Sequence, residues 1–155
     1  MQENQRVQLI CEAVMYCQKV KQMGMPASSY SKALREPVFF LWEKHERQKV
    51  QAARYRSVAS LSLNFGSGDI VYDHAIPFKI LQDKLMELDQ PNPGSVREIL
   101  EHWSVACIIT KEEDRLLSAS KLKNSMPISW DQQSCLARYD EIGIEVIPNP
   151  DYIAR

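Results

Sequence analysis

Asp73 and His74 end a short apolar run, Val71-Tyr72, and Pro77 follows three residues after the histidine. An acid beside an imidazole is a minimal kit for hydrolysis at neutral pH. A neutral histidine with a pKa near ~6.5 can take a proton from water. A carboxylate can share a hard divalent ion with water and phosphate oxygens. Adjacent residues of a strand point to opposite sides, so a twist at the strand end is needed for one group to hold a metal while the other faces substrate. The same pair also suits a structural task. Asp73 or His74 can cap a helix that begins near Pro77, with proline in its first turn.

A second cluster is basic. From Lys32 to Arg56 there are seven Lys and Arg against three Glu, a local excess of +4 in a chain whose net charge is −1. Lys49, Arg54, Tyr55 and Arg56 are placed to contact nucleic-acid phosphates, with Tyr55 stacking on a base. The competing reading is a solvated helix face of Glu-Lys and Glu-Arg neighbours. His45 lies on an apolar stripe beside Trp42 and reads as packed; His102, beside Trp103, falls at a helix end where a cation is favoured. Trp130-Asp131 and Arg138-Tyr139-Asp140 combine the residue types that anchor protein interfaces. The chain carries no Gly-x-Ser-x-Gly, no Ser-His-Asp order and no glycine-rich phosphate loop, which sets aside triad hydrolases and nucleotide-binding folds.

The segment Asp73-His74-Ala75-Ile76-Pro77 resembles the first motif of the HNH, or ββα-metal, nucleases, an Asp/Glu-His-Ile/Val-x-Pro stretch on the first strand of a metal finger. The resemblance implies that His74 is the general base and Asp73 a metal ligand. It implies a second strand at Val105–Thr110 and a helix at Lys111–Ala119 whose ligand falls at Asp114, with Glu113 as the neighbouring option. The cofactor implied is Mg²⁺ or Mn²⁺, without a structural zinc. The partner implied is nucleic acid, DNA ahead of RNA. Three departures stand out. About thirty residues separate the two strands, and Ala106 occupies the place of the family's central Asn. No closing His follows the helix, and Asn124 is only a loose substitute. A relative that kept the fold and lost its ligands would act instead through a protein partner, as an inhibitor or adaptor.

Several elements must position these residues. Leu9, Ile10, Ala13, Val14, Cys17 and Val20 predict a helix over 4–23, ended by Gly24 and Pro26. Ser28 and Ser29 can cap a second helix that meets Pro37, and the stripe Val38, Leu41, Trp42, His45 extends a helix to about residue 57. Leu61, Leu63 and Phe65 alternate with polar residues and, with Gly66-Ser67-Gly68, predict a hairpin or two short strands ending at Tyr72. Helices are expected over 78–88 and from a Ser95–Glu98 capping box to Trp103. Val105–Thr110 reads as a buried strand and Thr110 with Glu113 as the capping box of the next helix. In that helix the acids Glu112, Glu113 and Asp114 suit the dipole of the first turn. A helical turn at 137–142 and a strand at 144–147 close the pattern.

With 155 residues, 45% of them hydrophobic, the chain is long enough for one real core and ordinary in composition. The expectation is one α+β domain over 1–155, with N-terminal helices packed on a small antiparallel sheet around a ββα-metal-like centre. Its parts are helical (1–57), a sheet with the site (58–120) and a C-terminal extension (121–155). No apolar run reaches ~18 residues, so no membrane partner is expected. Residues 1–8 lack the apolar core of a signal peptide. Cys11, Cys17, Cys107 and Cys135 form no Cys-x-x-Cys. Free thiols in a reducing cytoplasm are therefore expected.

Overall fold

Val7, Ile10, Val14 and Cys17 recur at three- and four-residue spacing and are all buried, so the first helix turns one stripe inward. The computed structural model describes residues 1–155 and runs this helix, α1, over Glu3–Gln22. Gly24, at φ +86°, supplies the left-handed turn that ends it. A 3₁₀ turn at Ala27–Ser29 leads into α2 (Ser31–Pro37). Pro37 keeps a helical φ of −58° but has no N–H to donate, and the next turns, Val38–Lys44, take the wider π-helical spacing.

The helix expected to run on to residue 57 stops here. His45 and Glu46 both have positive φ. Arg47 caps the open end, donating to the carbonyls of Glu43 and Lys44. A short α3 (Lys49–Ala52) follows, and then a strand, β1 (Tyr55–Ser57). Partners on both sides, β3 and β4, outweigh the helical pattern of these residues. The strand expected at Leu61–Phe65 is absent. Arg56 holds the carbonyls of Ser60 and Leu63, and the segment turns instead. Gly66 and Gly68, both at positive φ, carry the loop to β2 (Ile70–His74).

Between β2 and the next strand the chain inserts α4 (Phe78–Met86) and α5 (Pro93–Trp103), both packed on the N-terminal helices. The cap of α5 is Asn92, whose side chain accepts from the Ser95 N–H, with Pro93 at the first position; Ser95 is the third residue of that box, not the cap. Strand β3 (Ala106–Thr110) runs straight into α6 (Lys111–Ala119), where Thr110 and Glu113 form the expected capping box. The chain ends through α7 (Ala137–Glu141) and β4 (Val146–Pro148).

The fold is α+β. The sheet order is β2-β3-β1-β4. It is mixed and not wholly antiparallel, because β1 and β3 run parallel while β2–β3 and β1–β4 are antiparallel. A parallel pair needs a long crossover, and the stretch carrying β2, α4 and α5 supplies it. One core lies among the helices around Trp42, Leu34, Leu81 and Leu100. A second lies on one face of the sheet, where Ala75, Cys107 and Ile109 meet Leu117, Tyr139 and Ile144. All four cysteines are unpaired, and Cys11, Cys17 and Cys107 are buried. No helix is long and apolar enough to cross a membrane.

Candidate functional site

Strand β2 is an edge strand. Its consecutive residues Val71, Tyr72, Asp73 and His74 line a cleft of about 540 Å³. The other walls are the start of α2 with Ser31 and Arg35, the start of α4 with Pro77, Phe78, Lys79 and Gln82, and the loop residues Lys123 and Asn124.

Strand alternation sends Asp73 and His74 to opposite faces of the sheet. Tyr72 and His74 share one face and both reach Glu43. The His74 ring presents Nε2 to Glu43 Oε2 at 3.0 Å, while Ser104 donates to Oε1 at 2.9 Å and the Tyr72 hydroxyl to Oε2 at 3.3 Å. The Glu43 side chain is only 2% exposed and that of His74 18%. A buried carboxylate gathers donors, so in the neutral ring the proton belongs on Nε2 and the lone pair on Nδ1. Burial pulls the His74 pKa down. The charge and hydrogen bond of Glu43, with Asp73 adding to them, more than offset this, and the net shift is upward from 6.5. Half-buried beside Glu43, Tyr72 has its hydroxyl pushed up by burial and then by the Glu43 charge.

On the other face Asp73 Oδ2 accepts from the Arg138 guanidinium at 2.6 Å and the Tyr139 hydroxyl at 2.7 Å. Arg138 is fully buried and also donates to the carbonyls of His74, Ala75 and Leu122. It thereby ties α7 to the end of β2. Neither Asp73 nor His74 caps α4, which begins at Phe78 with Pro77 as its N-cap and no side-chain cap bond, so the capping alternative is overturned. Tyr139 is pushed well above its ordinary value by burial and then by Asp73.

The acids of α6 lie elsewhere. Glu113 accepts from the Thr110 N–H and the Ser57 hydroxyl. Thr110 pairs with Ile70, at the far end of β2 from Asp73. Asp114 binds Lys123 Nζ at 2.5 Å, so it touches the cleft only through that lysine. No three His, Cys, Asp or Glu side chains converge anywhere in the chain. With one Asp73 oxygen already holding two donors, the donors present do not fit a preformed metal centre.

The four residues expected to meet nucleic acid do not share a helix face. Lys49 is exposed at the start of α3, its ammonium 5.9 Å from the Phe39 and Tyr72 ring centroids. Arg54 is half-buried beyond α3. Tyr55 packs against the sheet core from β1. Arg56 is buried and spends its donors on Ser60, Leu63 and Asp151. Arg35, Lys79 and Lys123 are the cations that line the cleft.

Compared with protein-family models, with curated proteins and with solved structures, the chain has no significant match.

Glu43, Gln82 and the three cleft cations escape a reading of the sequence. Glu43 had one signal, a single acid closing the run Val38-Phe39-Phe40-Leu41-Trp42, but no spacing names a partner thirty-one positions away.

Proposed function

We propose that the cleft receives a nucleic-acid phosphodiester and that His74 is the general base for its hydrolysis. The observation that carries this reading is the His74–Glu43 pair, with an almost wholly buried Glu43 fixed by Ser104 and Tyr72. Glu43 holds the ring in one tautomer and leaves Nδ1 as the proton acceptor. Water attacks phosphorus, its proton passes to Nδ1, the bond to the leaving oxygen breaks, and that oxygen takes a proton from solvent. Arg35, Lys79 and Lys123 supply the positive rim for an anionic substrate. The antiparallel β2–β3 pair followed at once by α6 also supports the likeness to the HNH nucleases.

A second reading has its own observation. The saturation of Asp73 Oδ2 by Arg138 and Tyr139 favours a relative that has lost metal-dependent cutting and kept an interaction role.

The test is a cleavage assay on plasmid DNA, single-stranded DNA and RNA, each with Mg²⁺, with Mn²⁺ and with EDTA. The expected result is cutting that His74→Ala reduces by about 10²-fold or more. Cutting that survives His74→Ala, or none under any condition, ends the catalytic reading and leaves the interaction protein.

A further inference from the structure

Helix α1 has two apolar stripes, and the fold uses one. Val7, Ile10, Val14 and Cys17 turn inward to the helical core. On the opposite side Leu9, Glu12, Tyr16, Lys19 and Met23 recur at alternating three- and four-residue steps, and all five are exposed. Leu9 is 42%, Tyr16 59% and Met23 78% exposed, with Met1 and Met15 open beside them. A helix face turned to water is ordinarily rich in charge. The only charges in this stripe are Glu12 and Lys19. Contiguous apolar surface of this kind marks an interaction site.

Two features say what covers it. The first is charge. Neither Glu12 nor Lys19 has an ion-pair partner within the chain. They stand two turns apart, about 10 Å along the axis, and do not meet each other. A second α1 laid antiparallel about a two-fold axis brings Glu12 of each copy to Lys19 of the other and forms both pairs at once. Laid parallel, the same face would set Glu12 on Glu12 and Lys19 on Lys19. The second feature is shape. A hollow of about 480 Å³ opens at the start of α1 between Met1, Asn4, Gln5, Gln8 and Leu9. The antiparallel register that joins Glu12 to Lys19 carries Met23 of the second copy to Gln8, on the edge of this hollow. Methionine, unbranched and flexible, fills irregular gaps of that kind.

We propose that the outward face of α1 is a self-association surface, on which a second copy of this chain packs antiparallel with Met15 and Tyr16 of both copies at the centre. The proposal does not rest on the phosphodiester reading, since no residue of α1 lines the His74 cleft. A helix of 20 residues is about 30 Å long. One helix pair makes an interface at the small end of the specific range, so the expected Kd is on the order of 10 µM.

The experiment is sedimentation equilibrium of the full chain from about 1 to 200 µM. The expected result is monomer at the bottom of the range and dimer at the top. Glu12→Lys and Lys19→Glu each place like charges at both contacts and raise Kd about tenfold. An equimolar mixture of the two variants restores the parent dimer, because unlike charges then meet at both contacts. Tyr16→Asp, at an exposed position, abolishes the dimer and leaves the far-UV circular dichroism of the monomer unchanged. A chain that stays monomeric throughout leaves this face to some other partner and overturns the proposal. Single reversals that leave the dimer intact, or a mixture that fails to restore it, overturn it equally.

Discussion

Among the neighbours of His74, Glu43 weighs most. Burial alone would lower its pKa, and Glu43 reverses the sign. Glu43→Gln keeps a hydrogen-bonding group and deletes the charge. The His74 midpoint is therefore expected to fall from above 6.5 in the parent toward or below 6.5 in the variant, as read from the imidazole proton shifts in an NMR pH titration. A midpoint unmoved by the substitution would mean that Glu43 does not govern the ring. Stability follows the same sign. A raised folded pKa means that protonated His74 contributes stability in full below about 6.5, and the contribution is lost as pH rises through the folded value. In urea midpoints measured against pH, the parent loses that increment on the alkaline side and Glu43→Gln lacks it throughout. If His74 serves as a base, it works above its midpoint, so the substitution would also carry the acid limb of any pH–rate profile downward.

At the scale of elements, local chemistry decided more than periodicity. The segments with a cap and a stop were legible in the sequence. Gly24 ended α1, Thr110 with Glu113 opened α6, and the apolar run Val105–Thr110 became the buried β3. The start of α5 shows why caps need care. Ser95 and Glu98 have the right spacing, yet Asn92 is the residue that accepts from a free N–H. Asn92→Ala is expected to cost about 1 kcal/mol and Glu98→Ala, on an exposed face, within ~0.5. Thermal unfolding of the two variants distinguishes them, and equal losses would restore Ser95 as the cap. The failures share another cause. Tyr55–Ser57 reads as helix and Leu61–Phe65 as strand because each pattern is judged alone. Their fates were set by distant partners, β3 and β4 for the first and Arg56 for the second. The site divides in the same way. Asp73 and His74 were visible as a motif, while Glu43 and Arg138 acquire meaning only across the fold.

For the whole molecule, Arg138 is the knot between the C-terminal part and the cleft. Its guanidinium reaches Asp73, the carbonyls of His74 and Ala75, and the loop at Leu122. Arg138→Met would take the counter-charge from the Asp73 carboxylate and strand the three carbonyls of His74, Ala75 and Leu122 at once. The expected loss is about 3–5 kcal/mol in urea unfolding, and a loss under ~1 would show that these bonds are replaced by water. The two cores bear on chemistry as well. Glu43 belongs to the helical half, between Trp42 of its core and the His45 turn, while His74 belongs to the sheet. Neither half holds the pair by itself. As the chain is made, the glutamate is present long before the histidine, and the pair exists only once helices and sheet have docked. The His74–Glu43 pair is thus a latch between two pieces. A molecule whose halves have parted loses the pair while most of its secondary structure persists, so if His74 is the proposed base, that activity would be the last thing gained in folding and the first lost on warming.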